Sequence, residues 1–169
     1  MTVSLTSHHT KLATSKDEWL TPPSLVEALG PFDLDPCAPI VRPWDTATQH
    51  LTIDDDGLTS DWFGLVWCNP PYGGETKHWL KKLSTHPAGG IALVFARTET
   101  KAFQEHVWSS AGNVMFLSGR LRFHHVTGEV AAFNAGAPSC LVGYGAGADR
   151  LAERAPQLEG VLVTEWRGI

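Results

Sequence analysis

Apolar and polar positions along this chain predict short strands separated by helices. The first helix is predicted to have Thr21 as its N-cap and Pro22 in its first position, and to stop at Gly30-Pro31. Its apolar stripe consists of Leu25, Val26 and Leu29. Short continuous apolar runs elsewhere predict buried strands. The strands are predicted at 32–35, 65–68, 91–96, 114–117, 121–123, 139–144 and 161–165, and further helices at 78–83, 101–108 and 149–154.

Strands that alternate with helices predict a single three-layer α/β domain, with ligands at the carboxyl ends of the strands. The central sheet is expected to be mostly parallel, with antiparallel C-terminal strands, and residues 118–120 to form a hairpin turn. Residues 36–56 are predicted to be a loop-rich crossing. Residues 1–15 are polar and are expected to be a flexible tail, which leaves 16–169 as the domain.

Composition narrows the class of protein. A hydrophobic content of 43% with 18% charged residues is typical of a globular protein rather than a disordered one. No apolar stretch approaches membrane-spanning length and the N-terminus does not resemble a signal peptide, so we expect a cytoplasmic protein without a membrane partner. Cys37, Cys68 and Cys140 are odd in number and lie in apolar contexts, which favours buried thiols over disulfides.

The tetrapeptide Asn69-Pro70-Pro71-Tyr72 directly follows the apolar run 65–68. Two prolines cannot continue a helix or pair within a central strand, so the chain must leave the sheet here in a stiff, extended loop. Such a loop holds an amide, fixed carbonyls and an aromatic ring close together, and this set can grip a planar group that bears an amine. The alternative interpretation is an ordinary strand exit with a buried tyrosine.

Five further segments, together with the tetrapeptide, resemble a known family. They are 17–23 (DEWLTPP), 32–38 (FDLDPCA), 54–58 (DDDGL), 96–100 (ARTET) and 119–123 (GRLRF). The chain is similar to amino-methyltransferases that use S-adenosylmethionine, and among them to the phage-type DNA N-6-adenine methyltransferase family. The resemblance implies a Rossmann-like methyltransferase domain that transfers a methyl group from S-adenosylmethionine to the exocyclic amine of adenine in DNA.

The resemblance assigns catalysis to Asn69, Pro70, Pro71 and Tyr72. The target amine would donate hydrogen bonds to Asn69 and to the Pro70 carbonyl, and Tyr72 would stack on a base flipped out of the duplex. Direct transfer of this kind needs no covalent enzyme intermediate, and we expect no metal.

The resemblance also implies a cofactor site. The implied cofactor-binding residues are Thr21, Pro22, Asp35, Pro36, Asp55, Asp56, Leu58 and Asn69. The sequence does not decide which of Asp55 and Asp56 binds the adenine amine, and Asp45 is the candidate for the ribose. The alternative is that Thr21 is only a helix cap, that Asp33 and Asp35 are solvated strand-end charges, and that 54–57 is a solvated acidic turn.

Charge restricts how the chain can bind nucleic acid. A net charge of −5 and a pI near 5.9 argue against a surface that binds DNA everywhere, whereas basic residues between 72 and 127 predict a local basic face. The candidate contacts to DNA are Arg97, Thr98, Arg120 and Arg122. Alternatively, Arg97 pairs with Glu99 or Glu105, and the later arginines are charges at a hairpin edge.

Two other patterns predict less. The glycine-rich stretch 143–147 is similar to a dinucleotide loop, but too little chain follows it, so it is predicted to be a strand-to-helix turn. The spacing of Cys37, Cys68, His124 and His125 does not favour a zinc site.

The other functions considered are a methyltransferase acting on RNA or on protein glutamine, and a DNA-binding protein with the same fold and no turnover. The target sequence and the oligomeric state are not determined by the sequence.

Overall fold

The computed structural model describes residues 18–167, so the predicted tail 1–15 lies outside the described residues. The strands are β1 (Leu34–Asp35), β2 (Gln49–His50), β3 (Val66–Cys68), β4 (Gly90–Phe95), β5 (Asn113–Leu117), β6 (Ser139–Tyr144) and β7 (Gly160–Val163). The helices are α1 (Pro23–Leu29), α2 (Thr76–Ser84), α3 (Lys101–Phe103) and α4 (Ala146–Arg154). A π-helix, Gln104–Trp108, continues α3, and a 3-10 turn, Ala155–Gln157, follows α4.

The seven strands form one sheet in the order β2-β1-β3-β4-β6-β5-β7. The first four strands in this order are parallel to one another, whereas β6 is antiparallel to both β4 and β5, and β7 is antiparallel to β5. The predicted mixed sheet, parallel in its centre and antiparallel towards the C-terminus, is therefore confirmed. Because β2 and β3 lie on opposite sides of β1, the strand order reverses at β1. Ligand crevices form at such reversals in open α/β sheets.

Alternating residues of the strands enter two hydrophobic clusters. In β4, Ala92 and Val94 belong to one cluster, together with apolar residues of α2 and the π-helix. Ile91 and Leu93 belong to the other, together with apolar residues of α1 and α4. The two faces of the sheet are thus both buried, which explains the near-continuous apolar runs of its central strands.

The first helix begins one residue later than predicted, and Thr21 is not its N-cap. The N-cap position is Pro22, Pro23 is the first helical residue, and no side chain of the described residues caps the helix. A residue that precedes proline is pushed towards extended backbone, and Pro22 has a ψ of 131°. The predicted apolar stripe is buried, and the helix ends at Gly30 as predicted.

The prediction of a strand at 121–123 with a hairpin turn at 118–120 is wrong. Within the described part of the chain, residues 118–138 form only isolated bridges, which join His124 to Leu20 and to Val130. The reason lies in the sheet, because β5 already has β6 on one side and β7 on the other. The chain that leaves β5 therefore has no free edge of β5 to pair with.

Most other predicted elements are present, with boundaries that differ by a few residues. The loop-rich crossing at 36–56 is confirmed apart from the two residues of β2. The glycine-rich stretch is a strand-to-helix turn as predicted, with Gly145 at a φ of 51° between β6 and α4. All three thiols are free, and Cys68 and Cys140 are buried. Between residues 18 and 167, no helix is long and apolar enough to cross a membrane.

Gly147 allows α4 to pack directly on β4, and its replacement tests this contact. A Cβ at Gly147 would overlap the carbonyl oxygen of Gly90, so Gly147→Ala should lower the free energy of unfolding by about 1–3 kcal/mol. Gly136→Ala is the control, because no described atom lies within 4 Å of its added Cβ, and it should change stability by less than about 0.5 kcal/mol. Urea unfolding checks both values. Equal stability of the two variants would contradict this packing.

Candidate functional site

A cavity of about 590 Å³ lies at the carboxyl ends of β1 and β3, where the strand order reverses. It is lined by residues 18–21 before α1, residues 35–39 and Thr46 after β1, Thr52, Ile53, Asp56 and Gly57 of the acidic turn, Trp67 of β3, residues 69–72 after β3, and Trp79 of α2. This volume is in the range of small-molecule sites. The cavity therefore forms where the topology predicts a ligand.

The cavity brings together just over half of the predicted site residues. Those that line it are Thr21, Asp35, Pro36, Asp56, Asn69, Pro70, Pro71 and Tyr72. Those outside its lining are Pro22, Asp55, Leu58, Arg97, Thr98, Arg120 and Arg122. Residues from four separate stretches of the chain thus meet at one edge of the sheet.

Two hydrogen bonds orient the amide of Asn69, which directly follows β3. Its Nδ2 donates to the carbonyl of Trp19 over 3.1 Å, and its Oδ1 accepts from the Tyr72 hydroxyl over 3.2 Å. Because a carbonyl can only accept, the Trp19 contact fixes which end of the amide carries the acceptor. The second lone pair of Oδ1 is left for another donor.

The carbonyls of the tetrapeptide differ in their partners. The Asn69 carbonyl accepts from the Cys37 thiol over 3.3 Å, and the Pro71 carbonyl accepts from the Thr76 hydroxyl over 2.8 Å. The carbonyl of Pro70, a buried residue, receives no hydrogen bond from residues 18–167. Buried carbonyls are usually paired, so an unpaired one indicates a partner that comes from a ligand. The Pro70 carbonyl is free to accept a hydrogen bond from such a ligand.

The ring of Tyr72 lies in an aromatic cluster that the sequence analysis missed. It stacks on Phe95 with 4.1 Å between ring centroids and 9° between planes, and its edge meets Phe123 at 6.1 Å. Burial raises the pKa of the Tyr72 phenol well above its usual value, so the hydroxyl remains a neutral donor. Phe95 ends the most apolar strand and Phe123 ends the 119–123 segment. These two positions are the sequence features from which the aromatic cluster could have been inferred.

Asp35, at the end of β1, is a buried carboxyl group. Its Oδ1 accepts from the Cys37 amide over 3.1 Å, and its Oδ2 accepts a short hydrogen bond from the Thr46 hydroxyl. Burial raises the pKa of Asp35 to about 6, although these hydrogen bonds act in the opposite direction. Thr46 was not predicted, because it lies in the loop-rich crossing, where no pattern distinguishes it.

The hydroxyl of Thr21 is buried at the cavity and has no hydrogen-bond partner among the described residues. An unpaired buried hydroxyl costs free energy, so such a group indicates a partner that comes from a ligand. The predicted role of Thr21 as a helix cap is wrong, but its position at the cavity agrees with the predicted ligand contact.

The acidic turn separates the two candidate aspartates. Asp55 Oδ2 accepts from the amide and the hydroxyl of Thr52, over 2.8 and 2.9 Å, and these bonds lower the pKa of Asp55. Asp56 lines the cavity and has a φ of 49°, a left-handed conformation uncommon for aspartate. The carboxylate of Asp55 therefore stabilises the turn, and Asp56 is the one that lines the cavity.

Lys82 of α2 fixes this turn and was also missed. Its Nζ donates to the carbonyls of Gly57, Leu58 and Ser60 and lies 4.9 Å from the centre of the Trp62 ring. Burial lowers the pKa of Lys82. From the sequence it is one of several lysines on an amphipathic helix, and only the three-dimensional contact shows its role.

The predicted DNA contacts lie outside the cavity. Arg97, Arg120 and Arg122 are exposed, and none of the three forms an ion pair within the described part of the chain. Glu105, a proposed partner of Arg97, pairs with Lys101 over 3.5 Å.

Two weaker sequence hypotheses concern Asp45 and the cysteines. Asp45, the ribose candidate, pairs with Arg42 over 3.2 Å and does not line the cavity. The thiols of Cys37 and Cys68 are 3.9 Å apart, but residues 18–167 contain no group of three or more side chains suited to a metal ion.

The fold and the cavity define an α/β protein with a candidate ligand site at the carboxyl ends of its parallel strands. A family model described as DNA N-6-adenine-methyltransferase (Dam) matches residues 7–142, well over half of the chain. The chain therefore belongs to this family, as its motifs predict, and membership implies DNA adenine N6-methyltransferase activity in general. No curated protein and no solved structure matches the chain.

The raised pKa of Asp35 predicts a pH-dependent stability. The folded protein binds the proton of the Asp35 carboxyl group more tightly than the unfolded chain does. The free energy of unfolding should therefore fall as the pH rises from about 4 to about 6. The loss should amount to about 3 kcal/mol at 1.36 kcal/mol per pKa unit. Asp35→Asn removes the ionisation and should make the protein more stable than wild type at pH 8.

Urea unfolding between pH 4 and pH 8 checks this prediction. Asp149→Asn is the control, because Asp149 is exposed and forms no ion pair within residues 18–167, so the variant removes a carboxylate without disturbing Asp35. Parallel curves for wild type and Asp35→Asn would contradict a buried, destabilised carboxylate.

Proposed function

We propose that the protein is a phage-type DNA adenine methyltransferase that transfers a methyl group from S-adenosylmethionine directly to an adenine flipped out of DNA. The observation that carries this proposal is the pair of acceptors at the end of β3. Asn69 Oδ1 is oriented by two hydrogen bonds, and the Pro70 carbonyl has no donor within residues 18–167. Together with the Tyr72 ring, these acceptors match a planar group that bears an amine.

We also assign the fold to the three-layer Rossmann-like class. The reversal of strand order at β1 supports this assignment, as does the placement of α2 in one hydrophobic cluster and of α1 and α4 in the other. In such folds the crevice at the reversal accepts a nucleotide-like ligand.

The residues at the cavity fit S-adenosylmethionine, which supplies an electrophilic methyl group when bound. The unpaired Thr21 hydroxyl can donate to a carboxylate, and ionised Asp35 can accept from an ammonium group. Asp56 can accept from an adenine amine, and the Trp79 ring adds apolar surface. We assign the adenine contact to Asp56 rather than Asp55. Pro22 and Leu58 would then shape the loops without touching the cofactor.

The chain's own groups would act mainly through position. An adenine amine is a poor nucleophile because its lone pair is delocalised into the ring. Hydrogen bonds from its N–H groups to Asn69 Oδ1 and the Pro70 carbonyl would localise that pair towards the methyl donor. The amine is paired inside a duplex, so the base must leave the stack to reach these acceptors.

The choice of acceptor is tested by incubation with radiolabelled S-adenosylmethionine and, separately, unmethylated DNA, RNA and a ribosomal protein extract. Nucleoside and peptide analysis should find N6-methyladenine in DNA. Label only in RNA or in protein glutamine would replace the proposed acceptor, and DNA binding without label anywhere would favour a protein that has lost turnover.

Asn69→Ala should lower the rate of methyl transfer at least about 100-fold, because it removes an oriented acceptor used by the reacting amine. Binding of S-adenosylmethionine, measured by calorimetry, should change little. Asn69→Asp is the comparison variant, since it keeps an acceptor at the same position but replaces the group that donates to the Trp19 carbonyl with a second, charged oxygen. It should retain more activity than the alanine variant. Full turnover by Asn69→Ala would exclude the proposed site.

Asp35 predicts how cofactor affinity varies with pH. Because its carboxyl group has a pKa of about 6 before the ligand binds, only the ionised form is ready to accept from an ammonium group. Affinity for S-adenosylmethionine should rise as the pH increases towards 6 and level off above it. Calorimetry between pH 5 and pH 8 measures this dependence, which Asp35→Asn should abolish and Asp149→Asn, a change outside the cavity lining, should preserve. A flat profile for the wild type would place the ammonium group elsewhere.

A further inference from the structure

The connection between β5 and β6, residues 118–138, is long and is attached to the candidate site. Leu20, which lines the cavity, exchanges two backbone hydrogen bonds with His124, over 2.8 and 2.9 Å. Phe123 is buried, and its ring meets the edge of Tyr72. Long irregular connections in compact domains are commonly functional, and this one is held against the catalytic tetrapeptide.

Residues 131–135 of this connection carry an exposed aromatic ring. The amides of Ala131 and Ala135 donate to the carbonyls of Phe123 and Leu121, over 2.8 and 2.7 Å. Phe133 lies midway between these two attachments and is 85% exposed. Single exposed apolar residues are common, so the exposure alone assigns nothing. Phe133 differs because the segment that carries it is hydrogen-bonded at both ends to residues 121 and 123, and the ring of Phe123 contacts Tyr72.

The connection is basic, unlike the chain as a whole. It contains Arg120, Arg122 and two histidines against one acidic residue, Glu129, in a chain of net charge −5. Both arginines are exposed and form no ion pair within residues 18–167. Guanidinium groups beside an apolar ring match duplex DNA, whose phosphates attract the charges and whose base steps admit an apolar wedge.

We infer that residues 118–138 are the DNA-contacting element, and that Phe133 enters the base stack of the duplex at the place from which the target adenine leaves. Arg120 and Arg122 hold the phosphates on either side of this step. The inference rests on the proposed function and deepens it. It assigns the contact with DNA to the connection between β5 and β6.

The test measures binding of variants to a fluorescent duplex that carries one methylation site, mapped beforehand with the wild-type enzyme. S-adenosylhomocysteine is added so that no transfer occurs. Phe133→Ala should weaken binding about tenfold or more, the usual effect of losing one stacked ring, and Phe133→Leu should lose less. The loss should shrink on a duplex whose target adenine faces an abasic site, because that base leaves the stack without breaking a pair.

Two comparisons separate the insertion of Phe133 into the base stack from other roles. Phe63→Ala is the matched control, since Phe63 is 45% exposed, precedes β3 and does not line the cavity, and the variant should bind as wild type. The salt dependence of binding should stay unchanged in Phe133→Ala and become weaker in Arg122→Gln, because only the arginine releases counterions.

The outcomes distinguish this inference from the proposed function. If the wild type methylates DNA and Phe133→Ala binds the paired duplex normally, the inference fails and the function stands. If both Phe133 variants lose thermal stability and bind the paired and the abasic duplex equally weakly, the ring is part of the protein's own packing, and the inference also fails. If the wild type methylates no DNA, the proposed function fails and the inference fails with it.

Discussion

The hydrogen bond from the Asn69 amide to the Trp19 carbonyl is the contact on which the candidate site depends. It joins two stretches that are 50 residues apart, the segment before α1 and the loop after β3. Without it, Asn69 Oδ1 and Nδ2 would be free to exchange places, and the acceptor would lose its direction. The two prolines that follow Asn69 restrict the backbone, and the loop is held further by hydrogen bonds from the Cys37 thiol and from the Tyr72 and Thr76 hydroxyls. The segment before α1 is held in turn by the bridge from Leu20 to His124.

Several polar groups around the cavity reduce the stability of the protein as it stands. Asp35 is a carboxyl group that burial makes reluctant to ionise, and the Thr21 hydroxyl lacks a partner among the described residues. Apolar residues at these positions would give a more stable fold. Their presence at one edge of the sheet, where the strand order reverses, indicates a ligand that compensates for both. The same sheet buries its apolar residues on both faces. Burial in this core offsets the free-energy cost of the polar groups at the site.

Local chemistry is what the sequence predicted well. The tetrapeptide follows a buried strand and Asp35 closes another, so both were placed correctly at the carboxyl ends of parallel strands. Contacts between distant stretches were not predictable. Lys82 binds the carbonyl of Gly57, 25 residues away, and Thr46 donates to Asp35 from a loop without periodicity. The strand predicted at 121–123 failed because a pattern of residues does not show which edges of a sheet are already paired.

An acidic protein can bind DNA when its charges are separated in space. At physiological ionic strength the Debye length is about 8 Å, so charges further apart than this are largely screened from one another. The three aspartates of 54–56 belong to the turn beside the cavity, whereas Arg120 and Arg122 belong to the connection between β5 and β6. A duplex is repelled by the acidic turn and attracted by the connection. Under the proposed function, electrostatics therefore favours an approach in which the DNA backbone would follow residues 118–138 and the target base would enter beside Tyr72, leaving the region around Asp56 for the cofactor.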